Sequence, residues 1–229
     1  MLKEVYHSGE DAIYLRKLVN GYEDIVRSGV RLKNQRSAFF RCEGLDHKKD
    51  KCISKNESIH FILKEIDKQI ELNESVKKNY NLEFKKLSCK YKEIGLLKSL
   101  PGIGAIHAVQ ILAVVVNIRR FKRRGHFLSY CGLIKHEKMS GGRSYGKRQP
   151  RYYRPLKQVF KMASHIVIQE ICNNPLKEFY EYQVNKKQKS PQIARHNVAR
   201  RLAVLVYGVL KTGQKFDPYR REKSIREKS

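Results

Sequence analysis

The sequence contains no tryptophan, three methionines and six prolines, and only 22 Asp and Glu among 229 residues. No apolar run approaches the ~18–20 residues that a bilayer-spanning helix requires. The longest candidates, 111–116 and 202–210, stop well short of it, which excludes a transmembrane protein. The first fifteen residues, MLKEVYHSGEDAIYL, carry charges where a signal peptide has its apolar centre, so a cytoplasmic location is expected. The five cysteines, Cys42, Cys52, Cys89, Cys131 and Cys172, are odd in number and scattered, with no CxxC pair and no histidine at zinc-ligand spacing. Neither a disulfide framework nor structural zinc fits that distribution. Cys131 and Cys172 read instead as small buried apolar groups. His107, His126, His136, His165 and His196 form no ligand pattern, and nothing after Leu100 supplies the paired carboxylates of a two-metal nuclease. No metal site and no cofactor are expected from these residues themselves.

What the chain has in excess is positive charge. Lys and Arg number 49, for a formal charge of +27, which makes a polyanion the natural partner. Hydrophobic residues make up 41%, enough to bury a core, so global disorder is excluded. The charge is also concentrated, because between Arg119 and Lys161 Glu137 is the single acid.

Apolar spacing predicts a mainly α fold. Ile13, Leu15, Leu18, Val19, Tyr22, Ile25, Val26, Val30 and Leu32 recur near helical period, predicting one long amphipathic helix over 11–41 that Gly21 and Gly29 weaken. A polar connection follows over 43–58, with Asn56 or Ser58 as the cap of the next helix. From Ile59 to Leu97 the apolar residues continue at three- and four-residue spacing, as one long helix or an antiparallel pair. Two arrangements fit such lengths: a coiled coil that makes the protein a homo-oligomer, or two long helices packed on each other within one chain. The composition changes near Lys98, and the chain divides into a long-helix region over 1–97, a second domain over 98–215 and a charged tail over 216–229. Helices are expected over 156–172, 176–184 and 191–210, the last stopped by Gly213.

The segment SLPGIGAIHAVQILAVV has the form of the second half of a helix-hairpin-helix. Gly102 and Gly104 permit a tight turn with positive φ, exposing backbone N–H groups at a helix N-terminus where a phosphate can be held. The competing reading is a purely structural turn between helices. Two basic clusters follow. Arg119, Arg120, Lys122, Arg123 and Arg124 supply phosphate attraction. Arg143, Lys147, Arg148, Arg151 and Arg154 are interleaved with Tyr145, Tyr152 and Tyr153, a mixture suited to stacking on unpaired bases. Between the clusters Ser140 precedes Gly141 and Gly142 and lies among arginines. That is either an ordinary loop or a phosphoryl-transfer nucleophile with guanidinium groups placed to stabilise developing charge.

Three blocks together resemble the insertion-sequence-110-type transposases, RNA-guided recombinases that pair a metal-binding domain of four acids with a serine-bearing C-terminal domain. The first is LKSLPGIGAIHAVQILAVVVNIRRFKRRGHFLSYCGLIKHEKMSGGRS, the second RYYRPLKQVFKMA and the third ARRLAVLVYGVLKTGQKFDP. VYHSGEDAIYLRKLVNGYEDIVRSGVRLKNQ is similar to the long helix that follows the family's metal domain. The resemblance implies DNA as partner, a guide RNA, and Ser140 as the nucleophile, with Ser144 as the fallback. It also implies that the acids and their divalent metal, magnesium, belong to a domain ahead of residue 1, without which this chain is inactive. The family's Lys-Arg-Gly before the Arg-Tyr helix is here Lys147, Arg148 and Gln149. The alternative to a transposase is a non-enzymatic helix-hairpin-helix protein that binds DNA or RNA.

Overall fold

The computed structural model describes residues 9–44, 57–169 and 174–218. Asn56, Cys52, Cys172, most of the 43–58 connection and most of the 216–229 tail lie outside these. Helices dominate. They are α1 (Glu10–Cys42), α2 (Glu57–Lys90), α3 (Lys92–Leu97), α4 (Ala105–Val115), α5 (Arg124–Tyr130), α6 (Arg154–Gln169), α7 (Pro175–Glu181) and α8 (Pro191–Thr212). A short 3-10 turn, Ile118–Arg120, precedes α5, and a π-turn, Tyr182–Lys186, extends α7. Two strands, β1 (His136–Ser140) and β2 (Arg143–Arg148), lie between α5 and α6. No described helix is long and apolar enough to cross a membrane.

The chain forms two compact units, 16–86 and the remainder. In the first, the lengths of α1 and α2 that it contains run antiparallel. Tyr22 packs edge-on against Phe84 at 5.1 Å, and towards the other end of the pair Arg36 reaches Asp67 at 2.6 Å. Lys33 meets Glu74 between them, and that contact holds the Glu74 carboxyl below its usual range. The two long helices pack on each other within one chain. The glycines in α1 acquire a reason here. A Cβ on Gly21 would stand 2.6 Å from the Tyr80 hydroxyl, and one on Gly29 would stand 2.5 Å from Asn73 Oδ1. The Asn73 amide in turn donates to the Ile25 carbonyl at 3.0 Å. The expected weakening of the helix thus comes with a close approach, in which a larger residue would have to displace the ends of the Tyr80 and Asn73 side chains. Residues 59–97 form one long helix and then the short α3, and Ser58 lies inside α2 rather than capping it.

The second unit holds the larger core. Helix α4 is apolar almost all round and is buried from Ala108 to Val115 except at Gln110, as an inner helix must be. Helices α6 and α8 pack closely because Ala163, Ala194, Ala199 and Ala203 are fully buried between them or their neighbours. Phe121, Phe127, Phe160 and Tyr207 form an aromatic cluster, with Phe127 5.3 Å from Phe121 and 5.9 Å from Tyr207. The Tyr207 hydroxyl donates to the Phe121 carbonyl at 3.1 Å, satisfying a polar group that burial would otherwise penalise. Cys131 is buried as expected, and burial pushes its thiol pKa well up, leaving it inert. Gly213 ends α8 in the left-handed conformation, φ 68°, as its position predicted.

Candidate nucleic-acid interface

The Pro-Gly-Ile-Gly turn joins α3 to α4, and its two glycines behave differently. Gly102 has φ +73°, and a Cβ there would stand 2.5 Å from both the Ala163 carbonyl oxygen and Val167 Cγ2 of α6. Gly102 is therefore needed for packing of the turn against α6. Gly104 has φ −81°, so the positive φ expected of it is absent; it is the extended N-cap of α4 with open space on its Cβ side. No side chain caps this end, which leaves the first N–H groups of α4 without a side-chain acceptor. The C-terminal segment returns here, with Phe216 N–H donating to Ser99 Oγ at 2.8 Å.

His107, in the first turn of α4, lies 3.4 Å from the Gly102 carbonyl through Nδ1. Burial lowers its pKa below the usual imidazole value, and the carbonyl contact only partly opposes that. The unfolded chain therefore binds more protons between the folded pKa and about 6.5, so stability falls as pH drops through that window. Urea unfolding followed from neutral pH to about pH 5 is expected to show this slope, and His107→Gln is expected to flatten it.

After α4 the chain turns at Val116, φ 57°, with Asn117 N–H bonded to the Val115 carbonyl at 2.7 Å. Asn117 then caps the 3-10 turn by accepting from Arg119 N–H at 2.8 Å. Of the first cluster, Arg119, Lys122, Arg123 and Arg124 are exposed. Arg120 is built into the fold: its guanidinium lies 4.6 Å from the Phe121 ring centre and 4.8 Å from that of Tyr130, and it donates to the Val114 carbonyl.

The Ser-Gly-Gly segment forms the tip of a β-hairpin. Ser140 pairs with Arg143 across a two-residue turn in which Gly141 and Gly142 have φ 53° and 74°. Such a turn requires positive φ at both central positions and matches the natural strand twist. Glu137 faces Lys147 across the ladder, and an irregularity between Glu137 and Met139 twists the strands. Every strand residue is exposed, including Ser140, Ser144, Arg143, Lys147 and Arg148. An isolated two-stranded hairpin is marginally stable in water, so this one depends on its base.

That base is well tied. Gln149, which departs from the family's glycine, donates through Nε2 to the Gly132 carbonyl at 2.8 Å. Gly132, φ +67°, lies under the Tyr152 ring, and Lys157 Nζ sits 4.5 Å from the centre of the same ring. Tyr153 stacks on Tyr130 at 6.3 Å with the rings nearly parallel. Arg120, Tyr130 and Tyr153 thus form one stack, which brings the first basic cluster beside the root of the second. Tyr152 and Tyr153 have partners inside the protein, whereas Tyr145 on β2 is 67% exposed. Arg151 and Arg154 are exposed at the same root.

Residues 95–181 match the Transposase IS116/IS110/IS902 family. Over that stretch the chain is similar to a transposase family. The match runs from α3 through the turn, both basic clusters and the hairpin to the end of α7, so the turn glycines, both basic clusters and Ser140 lie within the matched stretch. No curated protein matches the chain.

Two features escaped sequence reasoning. The sequence suggests a loop at Ser140-Gly141-Gly142 where the structure has a hairpin, although Gly-Gly between short polar runs is a recognised two-residue hairpin signal. Ser129, whose Oγ lies 3.1 Å from His136 Nε2, was not singled out, and no motif marks it. Among the described residues no group of three His, Cys, Asp or Glu is placed to hold a metal ion. The divalent metal implied by the family resemblance therefore finds no ligand set in them.

Proposed function

We propose that this chain is the DNA-binding, serine-bearing part of an insertion-sequence transposase, with Ser140 as the nucleophile of strand exchange. The observation that carries the reading is Ser140 at the exposed tip of a basic hairpin, inside the stretch that matches the transposase family. In the reaction the Ser140 oxygen forms a bond to phosphorus of a DNA phosphodiester. One P–O bond of the backbone breaks, and the departing oxygen takes up a proton equivalent to the one serine gives up. A DNA hydroxyl then attacks the phosphoserine linkage, releasing Ser140 and joining the new strands. Arg143 beside the serine, and Lys147 and Arg148 further along β2, favour the charge that builds on the phosphate. The family's acids and divalent metal come from residues other than those described, and a guide RNA and a second copy of the chain belong to the same proposal.

The turn before α4 and the exposed arginines support phosphate contact that is blind to base sequence. Binding to a DNA duplex is expected to weaken steeply with salt, log K falling linearly against log salt with a slope near −0.9 per phosphate neutralised. Filter retention over a salt series measures this, and an affinity indifferent to salt removes the reading. One observation favours a second reading, a binding module without catalysis: among the described residues Ser140 has no hydrogen-bonded base.

A further inference from the structure

We propose that the cleft between α6 and α8 is a second phosphodiester-backbone site, in which Lys161 and Arg195 hold phosphate oxygens of a nucleic-acid strand. The proposal rests on the nucleic-acid reading above but concerns residues that neither the turn nor the two basic clusters include. The cleft has a volume of about 270 Å³ and is lined by Lys161, Ser164, His165, Gln192, Arg195 and His196. Every side chain on that lining is basic or a neutral hydrogen-bonding group.

Charge and geometry agree. Helices α6 and α8 carry Arg154, Lys157, Lys161, Arg195, Arg200, Arg201 and Lys211, and neither contains an acid. Among the described residues no carboxylate pairs with Lys157, Lys161, Arg195 or Arg200. Two packed helices of one charge sign repel each other, and a bound polyanion relieves that repulsion. On α6 the residues Arg154, Lys157, Lys161 and His165 recur at intervals of three and four and so share one face. At 1.5 Å per residue that stripe is about 16 Å long, and a strand rather than a single ion fits such a length. Its first member, Arg154, stands at the root of the hairpin, so the track is continuous with the cluster that flanks Ser140.

His196 reports on the same field. Its ring is hydrogen-bonded to the backbone of Leu133, and its outer edge is open to solvent. Burial of the remainder, then the nearby Lys157, Arg200 and Lys161, hold its pKa below the usual imidazole value against that hydrogen bond. Ser164 beneath the cleft is buried and already donates to the Lys161 carbonyl at 2.7 Å, so the floor is satisfied. Above it Arg195 donates through Nε to the Pro191 carbonyl at 3.3 Å, while its terminal guanidinium nitrogens meet no carboxylate among the described residues.

The test uses the full chain and short fluorescent oligonucleotides, as single-stranded DNA, duplex DNA and single-stranded RNA, read by anisotropy over a salt series. The double variant K161Q/R195Q is expected to bind at least one of these roughly tenfold more weakly, with its log K against log salt slope reduced by about 2. The probe most affected names the strand. A charge-matched variant at two lysines that do not line the cleft, K186Q/K189Q, is expected to leave the slope nearly unchanged. Wild-type affinity and slope in K161Q/R195Q, with weakening in R119Q/R124Q, overturn the cleft and leave the proposed function standing. Equal slope changes in K186Q/K189Q and K161Q/R195Q also overturn it, because net charge then suffices. A wild-type chain that retains no probe at low salt overturns both readings.

Discussion

Ser140→Ala is expected to abolish DNA joining, by roughly three orders of magnitude or more, while DNA affinity stays within about twofold of wild type. The size follows from the role. Removing a nucleophile deletes the one atom that bonds to phosphorus, and no neighbouring contact replaces it. Under the proposed function binding is spared, because Ser140 is a neutral group at the tip of a hairpin and the attraction for phosphate is assigned to Arg143, Lys147 and Arg148. The measurement is strand exchange with an acid-bearing transposase domain supplied in trans, read beside denaturing gels for a covalent protein–DNA adduct. Joining that survives in Ser140→Ala removes the assignment. If it survives there and is lost in Ser144→Ala, the nucleophile is Ser144, which faces Met139 one step down the same ladder.

Gly102→Ala is expected to cost about 2–5 kcal/mol, against less than about 1 kcal/mol for Gly104→Ala two residues away. At Gly102 two penalties combine. A left-handed conformation costs an L-residue roughly 1–2 kcal/mol. Forcing a methyl group into filled space costs about 1–3 kcal/mol more, and here one of the atoms it meets is the backbone oxygen of Ala163, which cannot swing aside. For a unit of this size the melting temperature is expected to fall by about 5–15 °C. Gly104 has an extended backbone and open space around it, so alanine there loses only a modest capping preference. Thermal unfolding of the two variants side by side measures the difference. Equal effects would mean that the turn does not pack on α6 as described.

Much of the helical framework was legible because helices advertise themselves locally. Apolar residues at three- and four-residue spacing marked α1 and α2, and Gly213 marked the end of α8. The Pro-Gly-Ile-Gly turn and the transposase resemblance were equally local, since both reside in short ordered strings. The hairpin was less visible. Its strands are polar on both faces, so no alternation of apolar and polar residues pointed to them, and only the Gly-Gly pair did.

The roles of individual side chains divided along a different line. Charge, the mainly α class and the location of Ser140 beside two glycines were set by the sequence alone, because composition and short-range spacing suffice for them. Which basic and aromatic residues face solvent was decided by tertiary structure. Arg120 and Arg119 are neighbours in one basic run, yet one is held between two rings while the other is exposed. Tyr152 reads like Tyr145, but Gly132, some twenty residues earlier in the chain, takes up its ring, and Tyr153, though exposed on one side, is stacked on Tyr130. Gly21 and Gly29 read as flaws until Tyr80 and Asn73 arrive from the facing helix. The cleft between α6 and α8 likewise needs two helices that come together only in the fold. The physical reason is common to all four cases: a partner distant in sequence decides what a side chain touches, and packing selects that partner by shape and polar satisfaction rather than by any local pattern.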